Sequence, residues 1–255
     1  MSIPAARWLM RFVVLASSAM AHAAEVEVLD VAGALARPLM IVTPVYPESA
    51  AKAKVQVRVT GRVTAQGRLV SPVLVADPGD EPFAAAVREV LELWRFIPAV
   101  AVDSCRPKEE EATMFVWFEK RDGAPRVFVS MPQDEGANAK RAARAILKRK
   151  HQHRIDFPSS PLRRGIEGTV HALLSVGSTG EVLDVQVRAM APLNDFGSPV
   201  LRGLRRWEFE PFDPAAWNGK RAICAEYEVN FCISSGADRE IESPRCAASR
   251  AKPPS

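Results

Sequence analysis

The chain has 255 residues, 47% of them hydrophobic and 25% charged, which is ordinary for a globular protein and enough for one or two domains. Its formal charge of +4 comes from 34 basic and 30 acidic residues mixed along most of the chain. No concentrated basic face marks a nucleic-acid binder, so nucleic acid is not an expected partner. The one basic run, Lys140 to Arg154, is taken up below.

The N-terminus reads as a signal peptide over residues 1–23. Arg7 and Arg11 form a basic front, Phe12 to Ala24 is an apolar and small-residue run, and Ala19-Met20-Ala21 and Ala21-His22-Ala23 both suit signal peptidase. That run is 13 residues long, against the ~20 a spanning helix needs. The alternative is an uncleaved N-terminal anchor in the inner membrane. Export places the four cysteines in an oxidising compartment, where they are disulfide candidates.

After an N-terminal segment at 24–43 comes a first unit, 44–119. Glu48 to Lys54 reads as a short helix. Val55, Val57, Val59 and Val63 alternate with Gln56, Arg58, Thr60 and Arg62, predicting a strand with one buried face. Ala65-Gln66-Gly67 turns the chain into a second strand, Leu69 to Ala76. Asp80 is an N-cap candidate, and Phe83, Val87, Val90, Leu91 and Trp94 then fall at helical spacing. Thr113 to Glu119 is a third strand.

Residues 120–156 read as a linker. Arg126 to Met131 suggests a short strand and Ala137 to Lys150 a basic helix. The second unit, 157–233, follows the first: a short helix at Pro161–Arg164, strands at Gly168–Val176 and Val182–Arg188, a helix capped by Asp195 and carrying Phe196, Val200, Leu204 and Trp207, and a last strand at Ala222–Ile233. Residues 234–255, rich in Ser, Pro and Ala, read as a disordered tail.

The two units are related by a constant offset of 113. Val63, Gly67, Phe83, Val87, Trp94, Phe96, Pro98 and Phe118 find identical partners in Val176, Gly180, Phe196, Val200, Trp207, Phe209, Pro211 and Phe231. Spacing without gaps implies one supersecondary unit used twice. The fold class is therefore α+β: two tandem three-stranded antiparallel sheets, each packed on one main helix and a short N-terminal one. Strands one and two form a hairpin, and the returning helix makes strand three parallel to strand two. In an all-antiparallel sheet the order is then two–one–three. Pro72 fits strand two as an edge. Strand three is an edge as well, with free N–H and C=O groups that invite another strand.

Cys224 and Cys232 lie on one predicted strand, 8 residues apart. At ~3.3 Å per residue that is about 26 Å, beyond the ~7 Å limit for a disulfide. Two patterns remain: Cys232–Cys246 with Cys105–Cys224, or Cys224–Cys246 with Cys105–Cys232. The first is preferred because Cys232 ends its strand and a tail can fold back to it.

Phe157-Pro158, Arg163-Arg164-Gly165-Ile166-Glu167-Gly168-Thr169-Val170, Ser178-Thr179-Gly180-Glu181-Val182, Arg205-Arg206-Trp207-Glu208-Phe209-Glu210-Pro211 and Asn218-Gly219-Lys220 form an ordered set. This set resembles the C-terminal domain of TonB proteins, the periplasmic part of the energy-transducing system for outer-membrane transport. The first unit, with Tyr46-Pro47, Gln66-Gly67-Arg68 and Trp94-Arg95-Phe96-Ile97-Pro98, resembles it too. The resemblance implies a periplasmic protein that binds rather than catalyses and needs no cofactor. Its implied partner is a TonB-dependent outer-membrane receptor or another periplasmic protein, whose extended segment adds to the last strand. The implied contact residues are Ala225, Glu226, Tyr227, Glu228, Val229, Asn230 and Phe231 on that strand, with Pro44, Tyr46 and Pro47 in unit one and Phe157 and Pro158 in unit two, each ahead of its unit's first helix.

Other features have blander readings. Trp94 and Trp207 sit at core spacing. His151 and His153 lie in a basic linker, and no metal site is expected there. Lys140 to Arg154 reads as a solvated charged helix, with contact to an anionic membrane surface as the sharper alternative. No Ser/His/Asp or Cys/His arrangement, phosphate loop or paired carboxylates occur in motif spacing, so catalysis is not expected. Two function classes remain: a strand-capturing binding module, or an assembly protein whose edge strands are covered from within or by self-association into a homodimer. A covered third strand favours the second.

Overall fold

The computed structural model describes residues 26–29, 34–47, 52–132, 146–233 and 246. The fold is mixed α+β, with few helices and several small antiparallel sheets. In chain order the strands are β1 (Val26–Val28), β2 (Arg37–Met40), β3 (Lys54–Val63), β4 (Leu69–Val75), β5 (Arg95–Ile97), β6 (Ala99–Ala101), β7 (Arg106–Lys108), β8 (Glu110–Arg121), β9 (Ala124–Ser130), β10 (Ile146–Leu147), β11 (Arg149–His151), β12 (Gly168–Gly177), β13 (Val182–Ala191), β14 (Glu208–Phe209) and β15 (Ala222–Phe231). The helices are α1 (Glu81–Val90), α2 (Ser159–Arg163) and α3 (Gly197–Leu204).

In unit one, β4, β3, β8 and β9 form a four-stranded sheet in that order. The valine alternation does what its period requires: Val55, Val57, Val59 and Val63 are buried and meet Phe83, Val87, Trp94, Met114, Val116 and Phe118 in one core. Pro72 lies on the outer strand at a bulge, where pairing jumps from Thr60–Val73 to Arg62–Val70 and Ser71 takes φ 50°. The bulge leaves room for a residue that cannot donate to the ladder. Asp80 does not cap α1 through its side chain; it is buried and paired with Lys52 Nζ at 2.7 Å.

Unit two has a five-stranded sheet in the order β10–β1–β15–β12–β13. Its central register matches that of unit one. Val55 pairs with Phe118 and Val63 with Glu110, while Gly168 pairs with Phe231 and Val176 with Ile223, each position displaced by 113. The hairpin turns match too. Gly67 (φ +73°) and Gly180 (φ +92°) each hold the backbone so close to β5 or β14 that a Cβ would stand 2.1 Å from the carbonyl oxygen of Phe96 or Phe209. Only glycine accepts both the left-handed φ and that approach.

Several expectations are corrected. The sheets have four and five strands because segments outside the units join them. The expected basic helix ends instead in strands, since Ile146 and Leu147 pair with β1 and Arg149 and His151 with β14; residues 137–145 of it lie outside the described residues. Asp195 sits within a 3₁₀ turn, Asn194–Phe196, and α3 begins after it with no side-chain cap. The short helix before unit two is present as α2. Its counterpart before unit one lies mostly outside the described residues, and Lys54 already belongs to β3. The signal peptide, and the tail apart from Cys246, also lie outside them. Cys246 is fully buried.

The two units pack on each other. Strand β3 is buried on one face, but β12 is buried on both. Val170, Ala172, Leu174 and Val176 face α3, while Leu173 lies on the other side in a small core with Leu29, Ala34, Val100, Cys105 and Cys224. Unit one and the segment ahead of it thus cover the sheet face that unit two would otherwise expose.

Candidate functional site

The outer sides of the two third strands are the sites expected to take a partner strand. In unit one that strand is β8, and β9 pairs with it from Phe115–Ser130 through Arg121–Ala124 without a bulge. The connection is a tight turn at Asp122-Gly123, with φ 53° and 78°. Asp-Gly between two runs of aromatic and β-branched residues is a strong hairpin signal, legible in the sequence. In unit two, β15 carries β1 on its outer side: Glu27 pairs with Glu226 and Val28 with Ala225, and the Leu29 N–H donates to the Cys224 carbonyl at 2.9 Å. Neither third strand is an open edge along its whole length, which corrects the two–one–three arrangement.

The side chains of β15 are engaged within the chain. Ala225, Tyr227, Val229 and Phe231 point into the core beneath α3. Asn230 Oδ1 accepts from Thr169 Oγ1 at 2.8 Å, and Asn230 Nδ2 donates to Glu228 at 3.0 Å. Glu226 is buried on the face turned to unit one. Arg37 Nη2 donates to both of its carboxylate oxygens at 2.9 Å, Arg188 Nη1 to Oε2 at 2.9 Å, and His171 Nδ1 lies 3.1 Å from Oε1. Arg188 also donates to the Pro98 carbonyl at 2.8 Å and the Leu35 carbonyl at 3.0 Å. This cluster joins β15 and β13 to the segment before unit one and to the loop after β5.

Burial alone would raise the Glu226 pKa, but Arg188, His171 and Arg37 outweigh it and hold the carboxyl well below the usual carboxylate range. Burial lowers the Arg188 guanidinium to about 10 against the pull of Glu226, so it stays charged at neutral pH. Burial also pushes the Tyr227 phenol up, opposed by Arg149.

The Tyr-Pro segments prove to be core supports. The Tyr46 ring packs edge-on against Phe83 and Phe118 at 5.5 and 5.9 Å, and its hydroxyl donates to the Lys52 carbonyl at 2.7 Å. Phe157 packs the same way against Phe196 and Phe231 at 6.0 and 5.3 Å. Trp94 Nε1 donates to the Val42 carbonyl and Trp207 Nε1 to the His153 carbonyl, both at 2.8 Å. Both matches, Tyr46 with Phe157 and Val42 with His153, are displaced by 111 rather than 113. A two-residue shift therefore separates this segment from the rest of the unit. Pro44 is buried; Pro47 and Pro158 are half-buried, with Pro158 leading into α2.

The four cysteines pair as Cys105–Cys224 and Cys232–Cys246. The first links the loop before β7 to β15 beside β1. In the described part of the basic run Leu147 is buried and Arg149 half-buried, while Lys148, Lys150, His151 and Arg154 are exposed, with Lys148 4.0 Å from Glu210, His151 3.9 Å from Glu208 and Arg154 3.3 Å from Asp156. Exposed pairs of this kind contribute little to stability. Among the described residues no three metal-ligating side chains gather. A cleft of about 380 Å³ opens where β1 meets the start of β15, and Lys220 on its rim is paired with Asp103 at 2.8 Å.

No profile of a known protein family matches the chain. A local stretch of 55 residues, 22% of this chain, is 36% identical to Protein TonB of Pseudomonas aeruginosa and covers 16% of that protein. The chain thus spans well under two thirds of the curated relative it matches. Among the described residues no helix is long and apolar enough to cross a membrane. The local likeness supports a TonB-like relationship.

Proposed function

We propose that this is a non-enzymatic, TonB-like envelope protein that acts as a two-unit binding and assembly module in the periplasm, in the setting of TonB-dependent transport. The observation that carries this reading is the state of the two third strands. Each has the position of a strand-accepting edge, and each is occupied by the chain itself, β8 by β9 and β15 by β1. Unit one is then chiefly structural: its loops clamp unit two through Cys105–Cys224 and the Pro98 carbonyl that accepts from Arg188.

Receptor capture by strand addition keeps one route, at unit two. Strand β1 is three residues long and makes two ladder pairs with β15, where β9 makes seven with β8. A partner strand from an outer-membrane receptor or another envelope protein displaces far less at β15 than at β8. Its affinity comes from main-chain hydrogen bonds, because the β15 side chains are already engaged.

The test is titration calorimetry of extended, TonB-box-like peptides against the mature chain and against Leu29→Pro, which removes the N–H that bonds the Cys224 carbonyl and so weakens β1 on β15. Strand capture at β15 predicts saturable binding that tightens in Leu29→Pro. Absence of binding to both folded proteins eliminates strand capture and leaves the assembly role.

A further inference from the structure

We propose that a basic surface of unit two, formed by segment 148–154 and the C-terminal end of α3, binds the anionic headgroups of a phospholipid bilayer. The inference does not depend on strand capture at β15. The two parts are distant in sequence and are joined by backbone contacts. The Lys148 carbonyl accepts from the Glu210 N–H at 2.8 Å, Arg149 and His151 pair with β14, and the His153 carbonyl accepts from Trp207 Nε1 at 2.8 Å. The chain then passes α3 at Gly203, where a Cβ would stand 2.6 Å from Ile155 Cγ1 and 3.6 Å from the Arg154 carbonyl oxygen. A residue without a side chain thus lets the segment lie against the helix end that carries Arg202, Arg205 and Arg206. The Arg149 guanidinium, 5.6 Å from the centre of the Trp207 ring, fastens the ribbon to the core by a cation–π contact.

Six lysines and arginines are exposed on this surface: Lys148, Lys150, Arg154, Arg202, Arg205 and Arg206. Glu210, Glu208 and Asp156 offset it only in part, lying near Lys148, His151 and Arg154. Among the described residues Lys150, Arg202, Arg205 and Arg206 have no acidic partner within 4.0 Å. The fold does not require these cations. At the offset of 113, Arg202, Arg205 and Arg206 correspond to Glu89, Glu92 and Leu93, and at the offset of 111, Lys150, His151 and Arg154 correspond to Leu39, Met40 and Thr43. Unit one therefore builds the same ribbon and helix end from acidic and neutral residues, and the positive charge belongs to unit two alone. Its carriers are spread over a ribbon, a loop and a helix end. That spread suits a field of headgroup charges better than a single small anion, and clusters of about four to eight Lys and Arg are the usual means of holding a protein to an anionic leaflet.

Co-sedimentation of the mature chain with vesicles tests this, using phosphatidylcholine alone and phosphatidylcholine mixed with phosphatidylglycerol. The expected result is partition that rises with the phosphatidylglycerol fraction at low ionic strength and is lost in about 1 M salt, where charges are screened beyond ~3 Å. Arg202→Gln, Arg205→Gln and Arg206→Gln combined should weaken partition by roughly a hundredfold, about fivefold for each charge removed. A second triple variant, Arg58→Gln, Arg62→Gln and Arg126→Gln, removes the same charge from exposed positions on the sheet of unit one and should weaken it far less. All six positions are exposed, so both variants should fold, which circular dichroism checks. Three outcomes overturn the proposal: no partition onto phosphatidylglycerol vesicles, with or without capture of a soluble polyanion such as heparin; equal partition onto phosphatidylcholine alone; or equal weakening by the two triple variants, which would make the binding an effect of net charge and not of this surface.

Discussion

At the scale of single residues, Glu226 decides most. Sequence reading places it on the last strand as a peptide-contacting residue, because the TonB resemblance treats that strand as a receptor-binding edge. The structure turns it to the second face of the sheet, where unit one lies, and surrounds it with Arg37, Arg188 and His171. Glu226→Gln removes the charge and leaves Arg188 buried without its counter-ion, which should cost about 3–5 kcal/mol in urea unfolding. Replacing Arg188 and Glu226 together by apolar residues should cost less than the two single changes summed, since no unpaired charge remains. The sign of the pH dependence follows from the carboxyl. Its folded pKa is depressed, so its contribution is present above the unfolded value of about 4.3 and is lost as pH falls toward the folded value. Wild type should therefore lose stability steeply on acidification below about pH 4, and Glu226→Gln should show a shallower loss. An equal slope in both proteins would assign acid unfolding to other carboxylates.

At the scale of elements, the hairpins, the main helices and the tryptophan anchors are legible in the sequence because each is set by local period. Val55, Val57 and Val59 alternate, Phe83 and Val87 share a helix face, and Gly67 and Gly180 mark the turns. The elements that cover the third strands were less legible for different reasons. Strand β1 is three residues long and makes sense only through its distant partner β15. Strand β9 carries its Asp-Gly signal, but its place in the sheet follows only from its pairing with β8, which the length of an apparent linker disguises. The turn glycines give a graded prediction. Gly67→Ala and Gly180→Ala meet both a left-handed φ and a carbonyl oxygen at 2.1 Å, so each should cost at least about 2 kcal/mol. Gly79→Ala and Gly123→Ala share the positive φ but meet nothing within 4 Å, and should cost only about 1 kcal/mol. Thermal unfolding of the four variants checks the order; equal losses would mean that backbone conformation, not the approach to Phe96 and Phe209, sets the requirement.

At the scale of the whole molecule, the question is how firmly unit one is fixed to unit two. The sequence repeat suggests two separable domains joined by a linker. The structure instead has a shared small core, the Glu226 cluster, and a disulfide whose cysteines are 119 residues apart. In the chain-entropy account a closed loop of that length stabilises the fold by about 5 kcal/mol, and the 14-residue loop of Cys232–Cys246 by about 3 kcal/mol. The two bridges should differ in kind as well as size. Cys105–Cys224 crosses between the units, whereas Cys232–Cys246 ties the end of β15 to the chain that follows it. Replacing Cys105 and Cys224 by alanine should lower stability more and should also uncouple the units, turning one calorimetric transition into two. Replacing Cys232 and Cys246 should lower the midpoint while keeping a single transition. The Leu29 N–H that bonds to the Cys224 carbonyl links the first pair to β1 as well. Losing that bridge should therefore raise hydrogen exchange at the Val28 and Leu29 amides, and losing the other should not. A single transition in both variants would show that the shared core and the buried charges hold the units together without the covalent link.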